Sequence, residues 1–303
     1  MNPPLPRTIA EYLDQLRVAL RGADPALIQD ALYDAEDHLR SELAENPGKS
    51  EADVLAKIAA SYGAPEEVAG IYVDKEQQVQ QALRAPPPPP RKTALGKFFG
   101  VAADPRAYAA LFYMMLSLAT GIFYFVWAVT GLSLSIGLSI LIFGLAFAVL
   151  FFGTVRVLSL VEGRIIEVML GERMPRRPVY AERGKPLRER IKEMFTDART
   201  WSTLLYMLLM LPLGIVYFTM AVTGTTLSLA LMVAPVALIL RSIGIIDTGG
   251  IYIDGEYFLP PLIALPLAFL IGVVLLFAML HLARGVGKFQ SALAKHLLVP
   301  SGE

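Results

Sequence analysis

The spacing of apolar residues divides the chain into two parts. In residues 1–84 the apolar side chains recur at helical spacing, which predicts a small bundle of short helices. Four later blocks are almost continuously apolar, and each reaches the ~20 residues that a helix needs to cross the hydrocarbon core of a membrane. These blocks are residues 107–129, 133–161, 203–223 and 259–283. The pattern therefore predicts an all-α membrane protein, with four transmembrane helices and a helical bundle outside the membrane.

Cap residues divide the first part, called the head below (residues 1–84), into four predicted helices. Thr8 with Glu11 three positions later forms a capping box, and the apolar stripe beside it is Ile9, Leu13, Leu16 and Leu20. The next three helices are predicted to begin at Asp24-Pro25, Ser50 and Ala64-Pro65. Residues 85–94 then form a linker, whose five consecutive prolines favour an extended polyproline II spacer over an SH3-type ligand.

The strongest internal pattern is a repeat. Residues 104–135 align without a gap to residues 197–228, and 17 of the 32 paired positions are identical. Hydrophobicity does not require several of these matches, which include Asp104/Asp197, Arg106/Arg199, Tyr113/Tyr206, Gly121/Gly214, Tyr124/Tyr217 and Thr130-Gly131/Thr223-Gly224. We therefore predict two tandem membrane modules, residues 95–185 and 186–303, with two spans each. Because two spans return each module to its starting side, the modules are predicted to be parallel.

The second spans of the two modules align less clearly. Matches such as Gly163 with Gly285 give an offset of 122 positions, which predicts about 29 extra residues in the second module. This insertion, residues 225–258, is predicted to lie on the outer side, where Thr130-Gly131 and Thr223-Gly224 are predicted to form turns. Its first part, residues 227–243, is interpreted as an outer-leaflet or re-entrant helix rather than a fifth span. Asp254-Gly255, between two short apolar runs, predicts a small external β-hairpin.

Charge is distributed unevenly along the chain. Residues 1–85 contain 15 acidic and 8 basic side chains, a net charge of −7, and the remainder contains 12 and 19, a net charge of +7. Ten of the basic residues lie within residues 162–202, between the second and third spans, so the positive-inside rule places both termini in the cytoplasm. The acidic head is not expected to bind nucleic acid, because phosphate contacts need Lys and Arg.

The sequence carries no recognised pattern of catalytic residues. The absence of cysteine excludes disulfides, thiolate catalysis and cysteine-ligated metals. The chain also has no His-Glu-x-x-His, P-loop or Gly-x-Ser-x-Gly motif. We therefore expect a non-enzymatic protein that has no cofactor and no metal site.

The repeated tyrosines are candidate ligand-binding residues. Helical spacing places Tyr113, Gly121 and Tyr124 on one face of the first span. One interpretation is a packing seam, in which glycine permits close approach and tyrosine hydroxyls form hydrogen bonds between helices. The other is a pocket for a lipid or amphiphile. The candidate ligand-binding residues are the repeated tyrosines of this pocket, Tyr113, Tyr124, Tyr206 and Tyr217, together with Arg241, Tyr252 and Asp254 of the outer insertion.

The second predicted helix of the head has an acidic face. Asp34 and His38 are one helical turn apart and could share a metal ion, but a solvated acidic face that docks a basic partner is the favoured interpretation. The candidate partner-binding residues are Asp34, Glu36, Asp37, His38, Glu66 and Glu67.

Several motifs are similar to those of known families. Residues 8–80 contain Glu11-Tyr-Leu-Asp-Gln-Leu16, Asp34-Ala-Glu-Asp-His38 and Tyr62-Gly-Ala-Pro-Glu-Glu-Val-Ala69, and on these motifs they resemble the HAAS signalling domain of bacterial membrane proteins. Residues 95–298 contain repeated Gly-Ile-x-Tyr-Phe and Thr-Gly-x-x-Leu-Ser motifs and the segment Leu280-His-Leu-Ala-Arg-Gly285. On those motifs they resemble the four-helix membrane domain called "putative sensor".

The resemblances imply signalling or regulation of a partner. We therefore expect a sensor or signalling-accessory protein of the bacterial inner membrane, which couples an envelope or lipid cue to a cytosolic partner through its head. The expected partners are membrane lipids and a cytosolic or membrane protein, such as a transcriptional regulator or an ABC transporter, and a homo-oligomer is compatible with the sequence. The alternative is a small-molecule or lipid transporter, or an accessory subunit of an ABC transporter. The central parts of the predicted spans carry no ionisable residue, and Arg156 and Glu162 fall near the inner end of the second span.

Overall fold

The computed structural model describes residues 6–83, 93–177, 187–243 and 261–299. These residues form ten α-helices and two short 3-10 helices, and the described part of the chain contains no strand. The predicted fold class, an all-α membrane protein with a small helical head, is therefore confirmed. The β-hairpin predicted around Asp254 lies outside the described residues.

The head is a bundle of four helices, α1 (Ile9–Ala19), α2 (Pro25–Glu45), α3 (Glu51–Ser61) and α4 (Pro65–Leu83). Three predicted caps are present, because the side chains of Thr8, Asp24 and Ser50 each accept a hydrogen bond from a backbone N–H in the first turn. The core includes the predicted stripe of α1, and its largest fully buried side chains are Tyr12, Leu16, Leu20 and Leu39. The caps and the apolar stripes together explain why this acidic segment folds as a bundle.

The membrane domain contains the remaining helices, α5 (Ala94–Phe99), α6 (Pro105–Gly137), α7 (Ile142–Leu170), α8 (Leu187–Thr196), α9 (Ala198–Ser242) and α10 (Pro261–Leu298). Four of them, α6, α7, α9 and α10, are long and apolar enough to cross a membrane. The chain is thus a multi-pass membrane protein. Large apolar side chains such as Phe112, Val126 and Leu150 are exposed on these helices, as expected for surfaces that face lipid.

The predicted outer turns at Thr130-Gly131 and Thr223-Gly224 are wrong, because both pairs lie inside helices. Helix α6 continues to Gly137, and a 3-10 helix, Leu138–Ile140, leads into α7. Helix α9 continues through residues 225–242 as one helix with the third span. A continued helix satisfies its own backbone hydrogen bonds, which apolar surroundings require, and glycine in this context serves close packing instead of a turn.

The first spans of the two modules, α6 and α9, cross at the repeated glycines. A methyl group at Gly121 would lie 2.9 Å from the carbonyl carbon of Met210, and one at Gly214 would lie 2.9 Å from that of Ser117. Met210 and Ser117 are 93 positions apart, as are the two glycines. Each helix therefore places its glycine against the same turn of the other helix, as a twofold axis through the crossing would require.

Contacts of the second spans correct the predicted alignment. Gly131 lies against Phe151 and the equivalent Gly224 lies against Met279, so residues 128 positions apart in α7 and α10 make matching contacts. The same offset relates Arg156, which pairs with Asp197, to Arg284, which pairs with Asp104. The offset of 122 predicted from Gly163 and Gly285 is therefore wrong. Leucine, alanine, phenylalanine and glycine are common in membrane helices, and a few matches among them do not determine the alignment.

Candidate functional site

Three tyrosines surround a buried carboxylate inside the membrane domain. Tyr113 and Tyr206 each donate a hydrogen bond to Oε1 of Glu162 at 2.8 Å, and Tyr124 donates one to Oε2 at 2.9 Å. The Glu162 residue is only 1% exposed. Tyr113 and Tyr206 each lie eight residues before the crossing glycine of their helix and bind the same oxygen, so α6 and α9 run in the same direction between these two levels.

Gln290 of α10 extends this network. Its Nε2 donates to the hydroxyl of Tyr206 at 2.8 Å and lies 3.2 Å from the sulfur of Met210. Its Oε1 accepts a hydrogen bond from Tyr217 at 3.2 Å. Gln290 is 128 positions after Glu162, so an amide in the second module occupies the place of the carboxylate in the first.

The network, called the tyrosine cluster below, consists of Tyr113, Tyr124, Tyr206, Tyr217, Glu162 and Gln290. It joins all four membrane-spanning helices, because α6 and α9 supply the tyrosines, α7 supplies the carboxylate and α10 supplies the amide. Tyr113 and Tyr124 are three helical turns apart, which lets one face of α6 reach both carboxylate oxygens. The buried carboxylate with its three donors stabilises the contact of α7 with α6 and α9, because removal of any partner leaves a polar group unsatisfied.

The structure brings four of the seven candidate ligand-binding residues together, namely the four tyrosines of this cluster. Arg241 belongs to the last turn of α9, and Tyr252 and Asp254 lie outside the described residues. Neither Glu162 nor Gln290 is among the site residues predicted from the sequence. The signal available for Glu162 was its position directly after the apolar block 133–161. An ionisable residue inside a membrane span is a candidate functional residue.

A second polar site joins the head to the membrane domain. The segment after α7, residues 171–177, is called the docking segment below. Asp30 of the head accepts hydrogen bonds from the backbone N–H groups of Arg176 and Arg177, both at 2.8 Å. Its other oxygen pairs with Arg173 at 2.9 Å, and both side chains are less than a tenth exposed. Because these groups are buried together, the contact is specific and not a loose attraction between charged surfaces.

Burial raises the pKa of the Asp30 carboxyl, and the backbone N–H groups of Arg176 and Arg177 and the guanidinium of Arg173 act in the opposite direction. Glu76 of α4 also pairs with Arg173, which therefore binds two acidic residues of the head. The guanidinium of Arg173 compensates the charges that docking removes from water.

Three further contacts support docking. Asp34 pairs with Arg177 at 2.9 Å, and Lys295 of α10 pairs with Asp24 at 2.7 Å. Gln29 links the two domains, since its Nε2 donates to the carbonyl of Arg177 and its Oε1 accepts from Arg199 of α9. The head therefore contacts the docking segment, the beginning of α9 and the end of α10 at once.

The candidate partner-binding residues of the head separate into two groups. Asp34 contacts Arg177, Glu36 is buried and pairs with Arg40 at 2.7 Å, and the ring of His38 stacks on Tyr62 with centroids 4.4 Å apart. The exposed residues are Asp37, Glu66 and Glu67. The sequence predicts that Asp34 meets a basic surface of a separate partner. The basic surface that it meets in the structure belongs to the chain's own docking segment.

Two family models match the chain. The model described as "Putative sensor" matches residues 113–298, and the model described as "HAAS" matches residues 11–70. The order of these domains confirms the resemblances seen in the sequence motifs. Both families are non-catalytic. No curated protein and no solved structure is similar enough to give a match.

Proposed function

Because the chain belongs to the putative sensor family and carries a HAAS domain, we propose that it is a membrane sensor whose head reports the state of the membrane helices. In this proposal the head docks on the membrane domain in one state and is released in the other. Release exposes the acidic residues Asp30, Asp34 and Glu76 to a basic surface of a cytosolic partner.

The observation that carries the proposal is the buried contact between Asp30 and Arg173. It joins the head to a segment that follows α7 directly, so a displacement of α7 changes the geometry of docking. An exposed pair would contribute little, whereas breaking a buried one is costly. In this proposal docking therefore has two distinct states, one with the Asp30–Arg173 pair formed and buried and one with the pair separated and exposed to water.

Helix α7 provides the mechanical connection. Glu162 is held by tyrosines of α6 and α9, and Leu170 at the end of the same helix is about 12 Å away along the helix axis. The docking segment begins immediately after Leu170, at Gly171. A rearrangement of the tyrosine cluster thus moves a continuous helix whose end carries the head.

Removal of the Arg173 charge is expected to release the head. The substitution Arg173→Met keeps an apolar stem and removes the guanidinium that pairs with the buried carboxylates of Asp30 and Glu76, at a cost of about 3–5 kcal/mol. The chain has no cysteine, so spin labels at introduced cysteines replacing Lys57 and Lys288 report one distance. We expect a narrow distance distribution in the parent protein and a broad one in the variant.

The matched control is Arg17→Met, which removes an arginine whose side chain is 52% exposed and whose partner is Asp14 of the same helix. This variant should keep the narrow distribution. A narrow distribution in Arg173→Met as well would show that the buried pair does not hold the head.

Sensing requires in addition that the membrane helices control docking. The substitution Glu162→Gln changes the tyrosine cluster without touching the head, and we expect it to change the docked fraction in the same distance measurement. If Glu162→Gln leaves the docked fraction unchanged while Arg173→Met releases the head, docking exists but does not report the cluster. That result would exclude the proposed coupling.

The alternative function, transport, is favoured by one observation, the buried ionisable Glu162 within a membrane span. The test is to place the parent protein and the Glu162→Gln variant in separate liposomes and to impose a pH gradient. If the protein transports protons, the gradient should decay faster with the parent protein than with the variant. A sensor should give the same slow rate as the variant and as empty liposomes. We expect the second result, because every oxygen of this carboxylate already accepts a tyrosine hydroxyl.

A further inference from the structure

A cavity of about 170 Å³ lies where the head meets the membrane domain. Gln29 of the head, Arg156 and Ser159 of α7, and Arg199, Thr200 and Thr203 of α9 line its polar part. Its volume is more than ten times the ~10–15 Å³ that one water needs. The cavity is distinct from the tyrosine cluster, since the two share no residue.

Two residues that line this cavity each carry one buried polar atom without a hydrogen-bond partner. Nη1 of Arg199 and Oγ1 of Thr200 make no hydrogen bond within the part of the chain that the structure describes. Thr200 is only 2% exposed. Nη2 of Arg199, in contrast, donates to Gln29 and to the carbonyl of Leu298. Unpaired buried polar atoms are rare in native proteins, so two of them on neighbouring residues that line one cavity favour a ligand with acceptor atoms.

The charges of the cavity favour an anion. Two guanidinium groups, those of Arg156 and Arg199, line it, and the adjacent carboxylate is that of Asp197, which lies 3.5 Å from Arg156. One carboxylate cannot neutralise two guanidinium groups. Guanidinium and hydroxyl donors together suit a phosphate, which presents several strong acceptor oxygens.

We propose that this cavity binds a phosphate group between Arg156, Arg199 and Thr200. The group comes either from a phospholipid or from a free phosphate compound. The cavity lies at the head-side end of α9, where the apolar span begins and where a phospholipid headgroup would therefore lie. Its remaining wall includes the apolar side chains of Val157 and Leu160. The chemistry of the polar wall is the same for both sources.

The position of the cavity gives the ligand a regulatory role, and this step rests on the proposed function. Gln29 contacts both Arg199 and the docking segment, so a phosphate that fixes Arg199 also fixes a contact that holds the head. Ligand that binds only the docked state shifts the equilibrium toward docking. The phosphate group is then the cue that keeps the head on the membrane domain.

The test is thermal unfolding of the full chain in detergent, titrated separately with inorganic phosphate and with short-chain phosphatidylglycerol. We expect a concentration-dependent rise in Tm with at least one of the two probes, and the probe that acts identifies the source. Arg199→Gln should weaken the apparent affinity by about ten- to a hundredfold, because it removes charge-assisted hydrogen bonds. Thr200→Val, which keeps the shape of the side chain, should weaken it less.

Two controls separate this cavity from general attraction of anions. Arg17→Gln removes an exposed cation of the head, and Arg106→Gln removes the repeat equivalent of Arg199, which lines a different cleft. Both should keep the affinity of the parent protein. Equal loss in Arg106→Gln and Arg199→Gln, or no rise in Tm with either probe, overturns the proposal.

The binding measurement does not depend on the proposed function. If phosphate raises Tm through Arg199 but leaves the label distance between Lys57→Cys and Lys288→Cys unchanged, the site stands and the regulatory role fails. If Arg173→Met releases the head while no variant alters phosphate binding, the docking proposal stands and the phosphate site fails.

Discussion

Replacement of Gly121 or Gly214 by alanine is expected to destabilise the membrane domain by about 3 kcal/mol, the upper end of the usual cost of overpacking. The reason is that the added methyl group would meet main-chain atoms, 2.9 Å from the carbonyl carbon of Met210 or of Ser117. A side chain could rotate away from such a contact, but a helix backbone can only move as a whole. Thermal or denaturant unfolding of the purified protein in detergent measures the effect.

The matched controls are Gly153→Ala and Gly285→Ala. Both glycines lie inside spanning helices, and a methyl group at either position meets no atom within 4 Å. These variants should retain or slightly raise the stability, because alanine is the better helix former by about 1 kcal/mol. Similar losses in Gly121→Ala and Gly285→Ala would mean that helix propensity, and not the crossing, determines the effect.

The two crossing glycines should also give nearly equal losses. A methyl group added at Gly121 would lie 3.3 Å from Cα of Leu211, and one added at Gly214 would lie 3.2 Å from Cα of Leu118. The two distances agree because the two contacts are equivalent in the repeat. Gly121 of α6 meets the turn of α9 that corresponds to the turn of α6 met by Gly214. The double variant should cost less than the sum, because one separation of α6 from α9 relieves both contacts.

Much of the fold follows from the sequence. The amphipathic stripe of α1, the caps at Thr8, Asp24 and Ser50, and the length of the apolar blocks are local signals, and each has its element in the structure. Local patterns determine such elements because a helix satisfies its own backbone and needs only one apolar face.

The tyrosines of the tyrosine cluster could be predicted from the sequence, but the two residues that they contact, Glu162 and Gln290, could not. Repetition of Tyr113, Tyr124, Tyr206 and Tyr217 indicated one shared face, and the structure places all four around the same network. Glu162 was expected only at the inner end of the second span, because the predicted span ended one residue before it, whereas α7 continues to Leu170. A carboxylate at a predicted helix end reads as an interfacial residue, and only the tertiary contacts show that it is enclosed.

Docking of the head could not be predicted from local pattern. The acidic face of α2 favoured a basic partner over a metal ion, but the identity of that partner depends on a segment far along the chain. The partners of Asp30 are 143 to 147 positions away. The charge imbalance between the two parts of the chain was the available signal, since an acidic head and a basic membrane domain attract each other.

Replacement of Glu162 by leucine is expected to have the largest single effect in the membrane domain. The hydroxyls of Tyr113, Tyr124 and Tyr206 lose their common acceptor, and each unsatisfied buried hydroxyl costs ~1–3 kcal/mol. Partial rescue by Gln290, which already contacts Tyr206, should keep the total near ~4 kcal/mol. Unfolding in detergent would therefore show a loss at least as large as that of Gly121→Ala.

A mutant cycle separates the hydrogen bonds from the shape of the site. Replacing Tyr113, Tyr124 and Tyr206 by phenylalanine leaves the carboxylate buried without donors, so this triple variant should also be unstable. Combining it with Glu162→Leu removes both sides of the network, and substitution of both partners by apolar groups is nearly neutral in favourable cases. We expect the fourfold variant to be more stable than either parent variant. Strictly additive losses would show that the hydroxyls and the carboxylate are not energetically coupled, and α7 would then lack its connection to α6 and α9.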